Sequence, residues 1–196
     1  MIGAISLMRR RPDIDQAEFR KHWLEVHGPL VCKMPGLRRY LQANVTEALS
    51  APARAMAIDG FAQLFFNSVA DRAVAYASPE LAACDRDSPL FIGQVTRAIT
   101  EMTEFGARTG AAKLMLLFPR GEAVEEKKFP GLPGLSGGIL HRVTDQGRAP
   151  NSVVAELVFP LDFIAELWFT SPTALHDAAA VFPTAGAYAV CEHEFL

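Results

Sequence analysis

The order of strand-like and helix-like segments predicts an α+β protein made of two tandem ferredoxin-like units. Each runs β-α-β-β-α-β, and their sheets face each other. Three observations carry this reading. Period-two alternation and helical periodicity succeed one another in that order through the first half of the chain. The second half repeats the first. "DGFAQLFFNS" at 59–68 aligns without a gap on "DFIAELWFTS" at 162–171, "MPGL" at 34–37 on "LPGL" at 132–135, and "RAITEMTEF" on "AYAVCEHEF". Between the halves, "GARTGA" at 106–111 reads as a linker. The units are therefore expected at 1–106 and 107–196, the second a degenerate copy.

The first unit opens with "AISLM", whose alternation makes a strand. "PDIDQAEF" then starts a helix: Asp15 can cap, Glu18 can reach back to it, and Ile14 can pack on Phe19. That helix is expected to run through "RKHWLEV" and stop at Gly28-Pro29, where proline removes a donor. "LRRYLQANVTE" and "DGFAQLFFNS" supply two strands, "SVADRAVAYAS" a second helix, and "RAITEMTEF" the fourth strand. In the second unit "AKLMLLF" takes the place of the first strand. "VVAELVF" at 153–159 either extends that unit's third strand or forms a hairpin with it.

Composition narrows the functions available. Of 196 residues, 50% are apolar and 21% charged, enough to bury a core without staples. A net charge of -3 argues against nucleic acid as a partner, because phosphate binding needs a basic surface. Cys32, Cys84 and Cys191 lie far apart, which fits neither a disulfide framework nor a zinc site, and no metal site is expected. Cys32 reads as a small buried filler rather than a nucleophile. No membrane span or signal peptide is legible, so the expected location is the cytoplasm. "FPGLPGLSGG" lacks the spacing of a phosphate-binding loop.

The two copies are unequal in one place. Fifteen residues separate Phe19 from Pro35, but only three separate Phe129 from Pro133. The extra stretch contains "HWLEVHGPL", residues 22–30. This asymmetry suggests that the first copy holds a site and the second completes the enclosure. At about 100° per residue, Phe19, Trp23, Val26 and Leu30 form one apolar stripe, with His22 and His27 on its edges. Being five apart, the histidines do not make the usual i, i+4 metal pair of a helix. Two readings stand for them: ordinary partners of a helix end, favourably placed near its dipole, or acid–base groups beside a glycine that permits close approach.

On the second strand Leu41, Ala43 and Val45 share one face, and Tyr40, Gln42 and Asn44 share the other. With helices on the first face, the second is expected to meet either water or a lined cavity. Phe61, Phe65 and Trp168 are available as apolar walls for a ligand there.

The run "FRKHWLEVHGPL", the following "PGLRRYLQAN", then "DGFAQLFFNS" and "SPELAACDRDSPLFI" resemble the EthD-like family of the dimeric α+β barrel superfamily. The resemblance covers most of residues 3–105, with an echo over 111–196. It implies two ferredoxin-like units closing on a central cavity, and it places the family's histidine motif on His22 and His27, its strand tyrosine on Tyr40, and its acidic loop on Asp85 and Asp87. Relatives in the superfamily include isomerases, lyases, cofactor-free monooxygenases and haem enzymes.

Taken together, these readings lead to an expected small-molecule enzyme acting on an apolar or aromatic oxygenated compound such as a lactone, phenol or polyketide fragment. His27 moves a proton, His22 or Asp87 orients it, and Tyr40 and Asn44 hold the developing oxyanion. Trp23, Gln42, Phe61, Phe65 and Trp168 complete the binding set. The alternative is a non-catalytic binding or stress-response protein for the same ligands. No cofactor is expected, with haem on His27 or His193 as the other possibility. Exposed sheet edges would favour a homodimer.

Overall fold

A computed structural model describes residues 2–148 and 152–196. The chain folds as strand β1 (Ile2–Arg10), helix α1 (Gln16–His22), a π-helical turn (Trp23–His27), helix α2 (Gly28–Val31) and strand β2 (Leu37–Ala48). Helix α3 (Ala51–Met56), strand β3 (Gly60–Phe66), helices α4 (Val69–Tyr76) and α5 (Pro79–Asp87), and strand β4 (Ile92–Gly106) follow. The second half runs through β5 (Ala112–Pro119), a 3-10 turn (Glu126–Gly131), β6 (Leu135–Gly147), β7 (Ala155–Glu156), β8 (Leu161–Phe169), α6 (Pro172–Val181) and β9 (Gly186–Glu194).

Eight strands close into a ring in the order β1-β3-β2-β9-β5-β8-β6-β4, and β4 returns to pair with β1. Within each half the order is that of a ferredoxin-like sheet: β4-β1-β3-β2 in the first and β9-β5-β8-β6 in the second. The seams are the antiparallel pairs β2–β9 and β4–β6. Ring closure leaves no open edge among these eight strands, so the exposed edges that suggested a homodimer are absent. The segment at 153–159 neither extends β8 nor forms a hairpin with it. Its residues Ala155–Glu156 pair in parallel with Gln94 and Val95 of β4, beyond the end of the β6 ladder.

Local chemistry fixes most of the elements. Asp15 and Glu18 form the expected capping box on α1. Ser50, Ser68, Ser78 and Ser171 each accept a backbone N–H at the start of α3, α4, α5 and α6. The expected second helix forms as α4, and Ser78 with Pro79 opens a further, unexpected helix, α5, on which Asp85 and Asp87 stand rather than on a loop. In the second half, the 3-10 turn at Glu126–Gly131 stands where the first half has α1 to α2.

The core has three layers. Ile5, Leu7, Ala43, Phe61, Met115, Ile164 and Tyr188 fill part of the barrel interior. Phe19, Trp23, Tyr40, Leu64, Phe66 and Phe91 lie between the first sheet and its helices. Leu114, Phe118, Phe129, Leu167 and Leu175 do the same for the second. The two faces of β2 separate as alternation predicts, but their sides are exchanged. Ala43 and Val45 face into the barrel, whereas Tyr40 packs under α1 and the π-turn. An eight-stranded barrel is just wide enough for side chains to fill. The apolar set belongs to that filling, and the first half's helices cover Tyr40 and Gln42.

Candidate functional site

The helix carrying "HWLEVHGPL" does not stop at Gly28-Pro29. It widens into the π-turn and continues through α2, with Pro29 in the first turn of the new helical stretch. The Gly28 N–H reaches back to the Trp23 carbonyl, which also accepts from Gln42 Nε2 at 2.8 Å. The widened turn accommodates the proline without breaking the helix, and it changes the phase of every residue after Trp23. Val26, expected in the apolar stripe, is 45% exposed, while His27 is 8% exposed and faces the sheet. Gly28 is needed here for protein packing. A Cβ there would stand 2.3 Å from the Phe195 ring, so it is that ring, and not a ligand, that makes the close approach.

The same change of phase turns His22 and His27 toward one carboxylate. Asp87, on the last turn of α5, bonds His22 Nε2 through Oδ1 at 2.9 Å and His27 Nδ1 through Oδ2 at 2.8 Å. The Phe91 ring lies against both imidazoles, with centroid distances of 4.9 Å each. Burial works to raise the Asp87 carboxyl, but the hydrogen bonds and charges of His27 and His22 outweigh it and hold it below the usual carboxylate range. With Nδ1 of His27 committed to Asp87, Nε2 is the nitrogen left to meet a ligand.

Behind and beside His27 runs a second hydrogen-bonded set. Tyr40 Oη accepts from Trp23 Nε1 at 3.1 Å and from Gln42 Nε2 at 2.9 Å. With two donors aimed at the oxygen, the phenolic hydrogen is free to be donated elsewhere. Burial pushes the Tyr40 phenol up, which keeps it protonated as a donor. Trp23 itself lies on Gly60, where a Cβ would come within 2.4 Å of the indole.

His27, Trp23 and Tyr40 line a cavity of about 50 Å³ between the first sheet and its helices, together with Met8, Asp85 and Arg97. His22, Gln42 and Asp87 stand just outside it and hold the lining residues in place. Asn44 lies on the Tyr40 face of β2, half-buried, and does not reach the cavity. Phe61, Phe65 and Trp168 are not part of this site. They are on strand positions that point into the barrel, where Phe61 meets Tyr188 and Trp168 carries Lys113 Nζ at 4.5 Å from its ring. The expected set therefore divides between two faces of the sheet, because Tyr40 and Phe61 fall on opposite sides of the pleat.

Sequence reasoning missed Phe91, Tyr76 and Arg97. Arg97 was legible as a lone cation on the outward positions of β4, next to Val95. Cys84 also lines the cavity, and burial pushes its thiol up to about 12, far from a reactive thiolate. A porphyrin does not fit beside His27, because roughly 300 Å³ or more is normal for a ligand pocket and this one offers about 50 Å³. His193 is exposed, with its ring edge-on to Phe195 at 4.6 Å. Among the described residues no helix is long and apolar enough to cross a membrane.

A second buried polar group occupies the barrel interior. Glu166 bonds His141 Nε2 at 2.6 Å, Lys113 Nζ at 2.6 Å and Gln63 Nε2 at 2.9 Å, and Thr100 Oγ1 meets His141 Nδ1 at 3.0 Å. Lys113 also pairs with Glu192. Burial works to raise the Glu166 carboxyl, and Lys113 and His141 together drive it well below the usual range.

Comparison with known proteins places residues 11–94 on the family model described as the EthD domain. An uncharacterized 11.0 kDa protein from the thcB-thcC intergenic region of Rhodococcus erythropolis is 36% identical over 66 residues, which are 34% of this chain and 61% of that protein. The chain thus spans about three-fifths of that relative's length. Among solved structures, an anthrone oxidase-like protein superposes with a TM-score of 0.64 at 12% identity, covering 98% of this chain and 92% of the other. A mutant chlorite dismutase from Candidatus Nitrospira defluvii superposes at 0.51 with 11% identity, covering 97% and 91%. Both share the barrel fold across almost the whole chain.

Proposed function

Residues 11–94 form an EthD domain, and from that premise we propose that this protein is a small-molecule enzyme in which His27 moves a proton at an acidic carbon or hydroxyl. One observation carries the reading. Asp87 binds Nδ1 of His27, which leaves the lone pair of Nε2 available on a residue that lines the cavity, the arrangement that makes imidazole a general base. His22 holds the other oxygen of Asp87 and fixes the carboxylate in place.

In the proposed step, Nε2 takes a proton from a carbon next to a carbonyl, and the electron pair moves to the carbonyl oxygen. Tyr40, kept protonated and held by Trp23 and Gln42, donates to that developing oxyanion. Return of the proton to a different atom gives isomerase chemistry, loss of a leaving group gives lyase chemistry, and the same anion is the starting point of cofactor-free monooxygenation. The apolar walls, Met8 and Trp23 among them, exclude water and suit an apolar oxygenated compound. The chain is read as two units, 1–106 and 107–196, on the support of the shared strand order, with the acid–base residues on the first and Ser152 and Val154 of the second adding to the cavity wall.

The experiment is solvent deuterium exchange, followed by proton NMR, into small ketones, lactones and phenols, alongside thermal-shift binding. A compound at a hundred times its Kd stabilises by about 2.7 kcal/mol, which a thermal shift resolves. Wild type is expected to exchange the acidic position, with His27→Ala and Asp87→Asn slower by at least tenfold. Binding with no exchange in wild type, unchanged in His27→Ala, makes the protein a binder instead.

A further inference from the structure

Arg97 enters the cavity wall from β4, on a wall that also holds the apolar Met8, Leu64, Leu81 and Val95. Its Nη1 is buried and has no hydrogen-bond partner among the described residues. A buried guanidinium donor left unpaired is costly, so this nitrogen is suited to an acceptor brought by a ligand. Asp85 shares the cavity wall and feels the Arg97 charge, but accepts no hydrogen bond from this nitrogen.

The surroundings favour an anion. The Tyr76 ring has the Arg72 guanidinium at 4.1 Å and the Arg97 guanidinium at 5.8 Å. Arg72, Arg97 and Arg148 line an outward-facing hollow, with Asp145 as the carboxylate there. Three guanidiniums against that one acid give a local positive potential, which Asp85 offsets on the cavity side. Burial raises the Asp85 carboxyl, and the Arg97 and His27 charges work against that rise.

Size limits the ligand further. At about 50 Å³ the cavity is a third of the roughly 150 Å³ that encloses benzene. It takes a short chain, or the carboxylate end of a small ring whose remainder extends into the adjoining groove, and not a multi-ring compound. A more open groove of about 410 Å³ shares Tyr76, Leu81 and Asp85 with the cavity and provides a way in.

We propose that the cavity takes a small carboxylic acid, with its carboxylate on the Arg97 guanidinium and its apolar body toward Met8, Leu64 and Val95. The planar fork of arginine matches a carboxylate through two parallel hydrogen bonds. This rests on the reading of the cavity as the substrate site, and it makes Arg97 the residue that selects acids over their neutral analogues.

The test uses benzoate and its neutral isostere benzamide, with Kd measured by calorimetry at constant ionic strength. Wild type is expected to bind benzoate at least tenfold more tightly than benzamide. Arg97→Met should lose that preference, and Arg97→Lys, which keeps the charge without the fork, should weaken benzoate at least threefold. Near-UV circular dichroism checks that both variants remain folded. Benzoate binding requires no proton transfer, so absence of deuterium exchange in wild type would leave this result standing. The proposal is overturned if benzoate does not bind wild type, if benzamide binds equally well, or if folded Arg97→Met binds benzoate as wild type does.

Discussion

Gln63 and Glu166 stand at equivalent positions of the two aligned halves and hydrogen-bond each other at 2.9 Å inside the barrel. The same register aligns Phe61 with Ile164 and Phe65 with Trp168, so the inward-facing positions of β3 and β8 correspond. They differ in chemistry: the first half supplies an amide, and the second supplies a carboxylate held by Lys113 and His141.

Glu166→Gln removes the charge that Lys113 and His141 are built around, leaving Lys113 with Glu192. Removing one member of a buried ion pair typically destabilises by about 3–5 kcal/mol. Urea denaturation is the check. Lys113→Met should cost more than Glu166→Gln, because it leaves both Glu166 and Glu192 without their ammonium, whereas Lys113 keeps Glu192 in Glu166→Gln.

The π-turn makes Val26 and Val31 behave oppositely. Val26→Ala changes an exposed side chain and should move stability by no more than about 0.5 kcal/mol. Val31 is 4% exposed, and Val31→Ala opens space in the core, with an expected cost of about 1–3 kcal/mol. An uninterrupted α-helical phase from Phe19 predicts a buried Val26, so thermal melts of the two variants distinguish the arrangements.

Gly28→Ala reverses an ordinary rule. Alanine in a helix is favoured over glycine by roughly 1 kcal/mol, but here the added methyl meets the Phe195 ring at 2.3 Å. A net destabilisation of about 1–3 kcal/mol is expected from overpacking. Adding Phe195→Leu to Gly28→Ala should return part of it, measured by denaturant midpoint.

The Asp87 carboxyl has a folded pKa below its unfolded value. Its contribution to stability is therefore present above the unfolded carboxylate range and is lost as pH falls through the folded value. Wild type should lose stability between pH 7 and acid conditions more steeply than Asp87→Asn. At pH 7 the variant should be less stable by about 1.5–3 kcal/mol, the scale of hydrogen bonds to a charged group. Parallel urea titrations across pH measure both.

Helices α3 and α5 were not legible without coordinates, but the strand order of the first half, the capping box at Asp15 and Glu18, the aligned segments and the concentration of unusual residues at 22–30 were. They depend on local periodicity, on backbone donors close in sequence, or on direct repetition. The direction each face points was not legible. Alternation separates Tyr40 from Ala43 but cannot say which of them meets the helices, because that depends on which side of the closed ring the helices cover. The joining of His22 and His27 through Asp87 was hidden for a related reason. It requires one widened turn, stabilised by a Gln42 side chain from another strand, and a carboxylate brought in by α5. Sequence alone determined that the chain would fold as an α+β protein, and it singled out residues 22–30 as the candidate site. Tertiary packing decided that His27 faces a small cavity with Tyr40 and Arg97, since only the closed fold fixes the phase of a helix and the side of a sheet.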